Sequence, residues 1–350
     1  MIPILYEKSE TAFLSNGIGR LSDAVSCIVS EQINDFYTLE MTYAADGQHA
    51  TELEPGRLIL ADPNEADRAQ PFRIYEITKN LDGTINVSAN HISYDLSGYP
   101  LRNLSDTTAA GAVAKLSSKA IIAPPFTFST DLSVTKDIDL PGARSVRAAM
   151  GGGDESVLGV YGGEWKYDRY DVELLQARGS DNGVSIRYGK NLTELNALRS
   201  DAEEYTGALA YVYNESFSPA YVSSNIQYLD QNAVPQKILI VDHSSDYQSQ
   251  TTTATLDTVA QADLAAAAGI TDSLTVSFAP LWQSEEYKNL LPVERVQIGD
   301  LVTVIYEKYN ISSKLEVVKT DYNVLLDRYD SIELGAIRPT LADTIANLAR

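Results

Sequence analysis

At 350 residues the chain is longer than a single core usually serves, so two to four domains are expected, and a hydrophobic fraction of 44% excludes wholesale disorder. The formal net charge is −21 with no basic run, which argues against nucleic-acid binding through clustered Lys and Arg. Such a charge serves solubility, or a surface that nucleic acid must pass without sticking.

The 21 tyrosines against 7 phenylalanines and 3 methionines fit a β-rich, surface-tolerant aromatic usage. The single cysteine, Cys27, excludes an intrachain disulfide and reads as a core thiol on a strand. The start lacks a basic n-region followed by an apolar h-region, and no apolar run approaches the length of a membrane span. The expectation is synthesis in a cytoplasm without a membrane anchor.

In chain order, residues 1–100 read as short strands divided by turns. Asn16-Gly17 marks a turn, residues 24–29 a buried strand, and 36–43 a half-buried one. Strands at 57–61, 72–79 and 84–89 follow, the last two joined through Asp82-Gly83 as a hairpin. A small antiparallel barrel or sandwich is expected.

From about residue 101 helical spacing appears. Ala109, Ala112, Val113, Leu116 and Ala120 predict a helix with Asp106 or Thr107 as N-cap. Short helices are expected from Ser145 to the Gly151-Gly152-Gly153 stop, and over 155–160 before Gly162-Gly163. Strands return at 164–167, 170–174 and 184–188, which makes residues 101–202 an α+β unit. Residues 203–338 read as β-rich with one helix, carried by Leu256, Val259, Ala260, Leu264 and Ala267 and closed at Gly269. Residues 339–350 start a linker helix, with Leu341, Ile345 and Leu348 on one stripe.

The two ends invite comparison. The stretch 56–60 matches 299–304 in type, 73–79 matches 314–319, and 93–98 faces 330–335. Alternating strands resemble one another by default, so coincidence stands beside the alternative of two related β domains flanking an insertion.

No catalytic constellation emerges. His49, His91 and His243 are far apart, and none sits in a zinc-binding spacing; the local candidate is His243 with Asp242 and Asp246, more readily a surface loop. Cys27 lies in an apolar strand, not at a helix start where a thiolate would be stabilised. Gly17-Ile18-Gly19 fits a hairpin turn better than a dinucleotide loop, and Gly151-Gly152-Gly153 lacks the Lys-Ser/Thr of a phosphate loop. Carboxylate pairs such as Glu203-Glu204 and Glu285-Glu286 are expected on solvated faces. Asn191 heads a sequon that has meaning only in a secreted chain. No catalytic, cofactor-binding or metal-binding residue and no cofactor is therefore expected.

One run is specific. Tyr161-Gly162-Gly163-Glu164-Trp165-Lys166-Tyr167-Asp168-Arg169-Tyr170, followed by Arg178-Gly179-Ser180-Asp181-Asn182-Gly183-Val184-Ser185-Ile186-Arg187-Tyr188-Gly189-Lys190-Asn191-Leu192, closely resembles the tail-tip hub proteins of tailed phages and prophages. This family is also known as prophage tail endopeptidase or tail-associated lysin, N-terminal hub region. The flanks agree in order, through 72–77, 91–96, 251–253, 298–300 and 327–335. The resemblance implies a mainly β fold with an α+β insert. Two tube-like β-barrel domains would be separated by an α+β domain, as in the baseplate hub of contractile tails.

It further implies a homotrimeric, pseudo-sixfold ring in the virion tail tip or baseplate, made in the bacterial host cytoplasm. Its partners would be the distal tail protein and tail tube proteins, with the tape measure protein and DNA in the lumen and no sequence-specific DNA contact. Hydrolase activity in such proteins would lie in a C-terminal region beyond this chain, so a structural, non-enzymatic role is expected. The rivals are a peptidoglycan-degrading tail hydrolase and a host-receptor-binding module, the latter suggested by the Tyr-rich stretch 205–230.

Overall fold

Alternating burial organises the amino-terminal strands. The first set comprises β1 (Ile4–Tyr6), β2 (Gly19–Arg20), β3 (Ala24–Gln32), β4 (Tyr37–Ala44), β5 (Leu58–Ala61), β6 (Gln70–Lys79) and β7 (Thr84–His91). In β3, Cys27, Val29 and Glu31 point inward at every second position, and Tyr37, Leu39, Met41 and Tyr43 do so in β4. All of β5 is buried because both its faces are covered. Ile59 and Ala61 join one core, while Leu58 and Leu60 join a second core on the other side. The computed structural model describes residues 2–151, 153–187, 192–200, 205–247, 249–267, 271–278, 295–306 and 311–335.

The middle stretch follows a 3-10 turn, Ile92–Gly98. It holds β8 (Pro100–Leu101), β9 (Leu104–Thr108), α1 (Ala109–Ser118), β10 (Thr127–Thr130), β11 (Thr135–Leu140), β12 (Arg144–Ser145), α2 (Val146–Gly151), α3 (Val157–Tyr161), β13 (Glu164–Asp168) and β14 (Asp171–Leu175). The N-cap of α1 is Thr108, whose hydroxyl accepts the Gly111 N–H at 3.1 Å. The expected caps lie too early, Thr107 by one position and Asp106 by two. Asp106 accepts the Thr107 and Thr108 N–H groups and an ion pair from Lys115, which holds its carboxyl down at about 2. The second core gathers Leu116, Met150, Val157, Trp165 and Leu174 beneath Tyr6, Leu58 and Leu60.

The remaining elements are β15 (Ser185–Arg187), β16 (Leu192–Ser200), β17 (Gly207–Tyr213), β18 (Tyr221–Ser223), β19 (Gln227–Tyr228), β20 (Ile238–Asp242), α4 (Thr253–Ala267), β21 (Thr271–Phe278), β22 (Leu301–Tyr306), β23 (Ile311–Asn323) and β24 (Arg328–Gly335). By contacts the chain divides into two units, 1–196 with 274–350, and 197–273. The sequence pattern places its boundaries at 100, 202 and 338. In the smaller unit a four-stranded sheet of β17, β18, β19 and β20 packs Ala208, Ala210 and Val212 against Leu256, Ala260 and Leu264 of α4.

Both ends of the chain enter one 13-stranded sheet, in the order β16-β21-β24-β23-β3-β4-β7-β6-β5-β1-β2, with β15 and β22 attached beside β23. Taken in chain order, β1, β3, β4, β5, β6 and β7 lie as β3-β4-β7-β6-β5-β1. Strands β15, β16, β21, β22, β23 and β24 lie as β16-β21-β24-β23-β22-β15, which is the same permutation. One step differs: β1 runs antiparallel to β5, whereas β15 runs parallel to β22.

The repetition extends to single hydrogen bonds. Gly56 N–H donates to Ile74 O and Ile74 N–H to Arg57 O; Gly299 N–H donates to Val317 O and Val317 N–H to Asp300 O. Both glycines have left-handed φ, +91° and +90°. The β6–β7 ladder skips Tyr75, and the β23–β24 ladder skips Val318, at the same position in each hairpin.

This register corrects the sequence pairing in two places. Arg73 corresponds to Glu316, not Lys314, and the partner of β24 is β7, not 93–98. Residues 92–98 form a 3-10 turn because the His91 ring caps it, accepting the Ser93 N–H at 3.2 Å.

Candidate functional site

The motif run folds as the hairpin β13–β14 followed by an extended segment that leads into β15. Its side chains hold three parts of the large unit together. Trp165 is fully buried, and its backbone N–H donates to Asn34 Oδ1 at 2.9 Å while Asn34 Nδ2 donates to Gly163 O at 2.9 Å. Arg178 reaches Glu31 on β3, Nη1 to Oε1 at 2.7 Å, with side-chain exposures of 5% and 6%. The same guanidinium donates to Trp165 O, and the Arg178 N–H donates to Glu164 Oε2 at 2.8 Å. A charge buried this deeply persists only when paired and hydrogen-bonded.

The next residues fasten the run to the second strand set. Ser180 N–H donates to Asp300 Oδ1 at 2.9 Å, Gln297 N–H donates to Asp300 Oδ2 at 2.9 Å, and Leu301 N–H returns to Ser180 O at 3.1 Å. Asp181 pairs with Lys314. Gly179 lies against Gly299: a Cβ there would sit 2.1 Å from the Gly299 carbonyl carbon. The arrangement is a polar rivet, with every charged member engaged.

Glu316, on β23, adds a titratable element. Partial burial and the neighbouring Glu164 carboxylate, with which it shares a hydrogen bond, push it up to about 7, and Glu164 is raised as well, chiefly by burial. An ordinary glutamate titrates near 4.3. The folded chain therefore retains a proton that the unfolded chain releases. The associated stability is present in full below about pH 4 and declines as pH rises toward about 7. Glu316→Gln should flatten this decline and raise stability at pH 8. Urea midpoints of wild type and variant at pH 5 and pH 8 check this, and an unchanged slope would refute it.

The other singled-out residues have structural partners. His91 is fully buried; Ser93 N–H occupies Nδ1, Nε2 faces Gln70 Oε1 at 3.3 Å, and burial lowers its pKa to about 3. Its ring stacks on Tyr37 at 4.6 Å, so it is neutral core. His49 lies 3.6 Å from Glu52.

His243 places Nδ1 2.6 Å from Asp246 and Nε2 2.9 Å from Asp263 on α4. Burial opposes its charge, but the two carboxylates outweigh it and raise the pKa. Asp242, the third residue of that candidate cluster, instead accepts from Ser244 and Tyr211. With both ring nitrogens engaged, His243 ties the end of β20 to α4.

Cys27 is fully buried, and burial pushes its thiol up to about 12. Gly17, with φ +60°, turns the chain between β1 and β2, as a hairpin requires. No group of three metal-ligating side chains occurs among the described residues. Glu203, Glu204, Glu285, Glu286, Asn191, Gly269 and the 339–350 stripe lie outside the described residues. No helix among those described is long and apolar enough to cross a membrane.

Comparison with known proteins agrees with this geometry. Residues 180–345 match the family model described as prophage endopeptidase tail, and no curated protein sequence matches the chain. Among solved structures, the prophage tail protein gp18 from Listeria monocytogenes EGD-e is 15% identical with a TM-score of 0.61, covering 100% of this chain and 98% of its own. The 43 kDa tail protein of prophage MuSo2 from Shewanella oneidensis is 12% identical, TM-score 0.64, with 98% and 100% covered. The tail protein from Neisseria meningitidis MC58 is 10% identical, TM-score 0.62, with 98% of each chain covered. At these identities the likeness to the solved structures is one of fold. Residues 180–345 thus resemble the prophage endopeptidase tail family by sequence, and the chain is similar in fold over its whole length to prophage tail proteins.

Proposed function

We propose that the chain is a structural subunit of a phage tail tip or baseplate hub. Three copies close a ring in which each contributes two tube-like β domains, separated by the α+β stretch. The observation that carries this reading is the twofold occurrence of one strand permutation within one chain. A subunit holding two copies of a β unit presents six units when three subunits associate, which adapts a sixfold tube to a threefold tip.

The net charge of −21 suits a lumen through which DNA and the tape measure protein pass without adhering. Neighbours on the ring faces are tail tube proteins and the distal tail protein, and the ring resides in the virion. Native mass spectrometry of the chain, alone and mixed with its tail tube protein, tests the proposal. Trimers are expected in at least one condition, and monomers in both would overturn it.

The family description includes an endopeptidase, and this favours a second reading as a cell-wall hydrolase. The rivet residues are committed to one another, and both nitrogens of His243 are engaged, so neither offers a free base or nucleophile. Clearing of peptidoglycan by the purified chain in a zymogram, lost on His243→Ala, would establish the hydrolase.

A further inference from the structure

The internal repeat includes a joint that is filled once and left open once. Within the chain, β3 of the first set docks antiparallel on β23 of the second, pairing Gln32 with Lys319 through to Ile28 with Asn323. It occupies the edge of β23 that β22 leaves free beyond Glu316. In the first set the equivalent strand is β6, and β5 likewise covers it only as far as Arg73. By the shared register, 76–80 of β6 correspond to 319–323 of β23. Among the described residues no strand pairs with that edge of 76–80. The strand equivalent to β3 is β16, which ends the sheet at its other extreme.

Two details show that the open edge is built like the filled one. Asn80 N–H points toward β7, donating to Thr84 O at 2.9 Å. Strand alternation therefore turns the N–H groups of Ile77 and Lys79 outward. In the filled joint the position equivalent to Leu81 is Val324, whose N–H donates to Cys27 O at 2.9 Å and which is 1% exposed. Leu81 itself is 110% exposed. A large apolar side chain in the turn that ends an open strand edge, whose counterpart is buried beside a docked strand, marks an interface without its partner.

We propose that the partner is a second copy of this chain, whose β16 pairs antiparallel with the 76–80 edge of β6 and buries Leu81. The joint is head-to-tail, so each copy offers one β16 and one β6 edge, and closure into a ring leaves neither exposed. This rests on the ring reading above and specifies how its subunits meet.

The test uses the full chain in two ways. Lys79→Pro with Leu81→Asp removes one outward N–H and the apolar anchor but no β6–β7 bond, since Lys79 N–H faces away from β7. Assembly should weaken about tenfold or more while circular dichroism is unchanged. Separately, Lys79→Cys is combined with single cysteines scanned along Leu192–Ser200. The buried native Cys27 stays silent. Covalent multimers at one or two scan positions are the expected result.

Trimers that form without any cross-link, and that survive the double variant, would overturn the edge pairing while leaving the ring intact. Absence of trimers from wild type, even with tube protein, would overturn both.

Discussion

Replacing Arg178 with alanine is expected to destabilise the large unit by about 3–5 kcal/mol, the cost of leaving a buried charge unpaired. Glu31, at 6% side-chain exposure, would lose the only strong cation beside it among the described contacts, and Trp165 O would lose a donor. Glu31 sits where β3 meets β23, opposite Thr320, so the uncompensated carboxylate would lie inside the internal joint. Replacing both partners, as Arg178→Leu with Glu31→Leu, should recover most of the loss, because removing a pair together leaves no stranded charge. Urea unfolding of the two single variants and the double variant measures this as a coupling energy. A loss below about 1 kcal/mol for Arg178→Ala would mean that water reaches Glu31 and that the rivet is not sealed.

The placement of this pair explains what the sequence could and could not reveal. Arg178 and Glu31 are far apart in the chain, and nothing in periodicity links them. Local patterns did mark the elements: the inward alternation around Cys27, the Asp82-Gly83 turn and the spacing of Leu256, Ala260 and Leu264 all correspond to observed strands, turn and helix. Short polar strands such as β9, β10 and β11 carry little alternation and went unmarked, because their pairing supplies the order that their composition does not.

The stretch 93–98 matches the strand-forming 330–335 in type, yet its backbone turns, with a buried histidine as its cap. The repeat between the two ends was visible in type at Gly56 and Gly299. Its register was not, since the bulges at Tyr75 and Val318 are set by cross-strand bonding that no single strand encodes.

The run from Tyr161 to Leu192 carries the resemblance to tail proteins, and within its described residues Glu164, Trp165, Arg178, Ser180 and Asp181 are engaged in joining contacts. Its charged groups bridge the first strand set, the middle stretch and the second set. A chain that must keep two related β units in fixed relation needs a rigid connection where it passes from one to the other. Charge pairs with fixed geometry supply that directionality, which apolar packing lacks. Asp300 illustrates the economy: one carboxylate satisfies the Ser180 and Gln297 N–H groups and so fixes both chain segments at once.

Gly179→Ala tests the tightest point of that connection. The added methyl would stand 2.1 Å from the Gly299 carbonyl carbon and 2.3 Å from the Asp300 N, both backbone atoms that no rotamer change can clear. Gly299 cannot retreat easily, since its φ of +90° is fixed by the turn that donates its N–H to Val317 O. The expected cost is about 3 kcal/mol or more, through overpacking and loss of the Ser180–Asp300 hydrogen bond. Gly183→Ala provides the contrast. That glycine also has positive φ, +69°, but no atom lies within 4 Å of its Cβ position, so only the left-handed strain of about 1–2 kcal/mol applies. Denaturant midpoints for the two variants separate steric collision from backbone strain. Equal losses would show that the two segments can part at Gly179, and that the rivet is held by its ion pair alone.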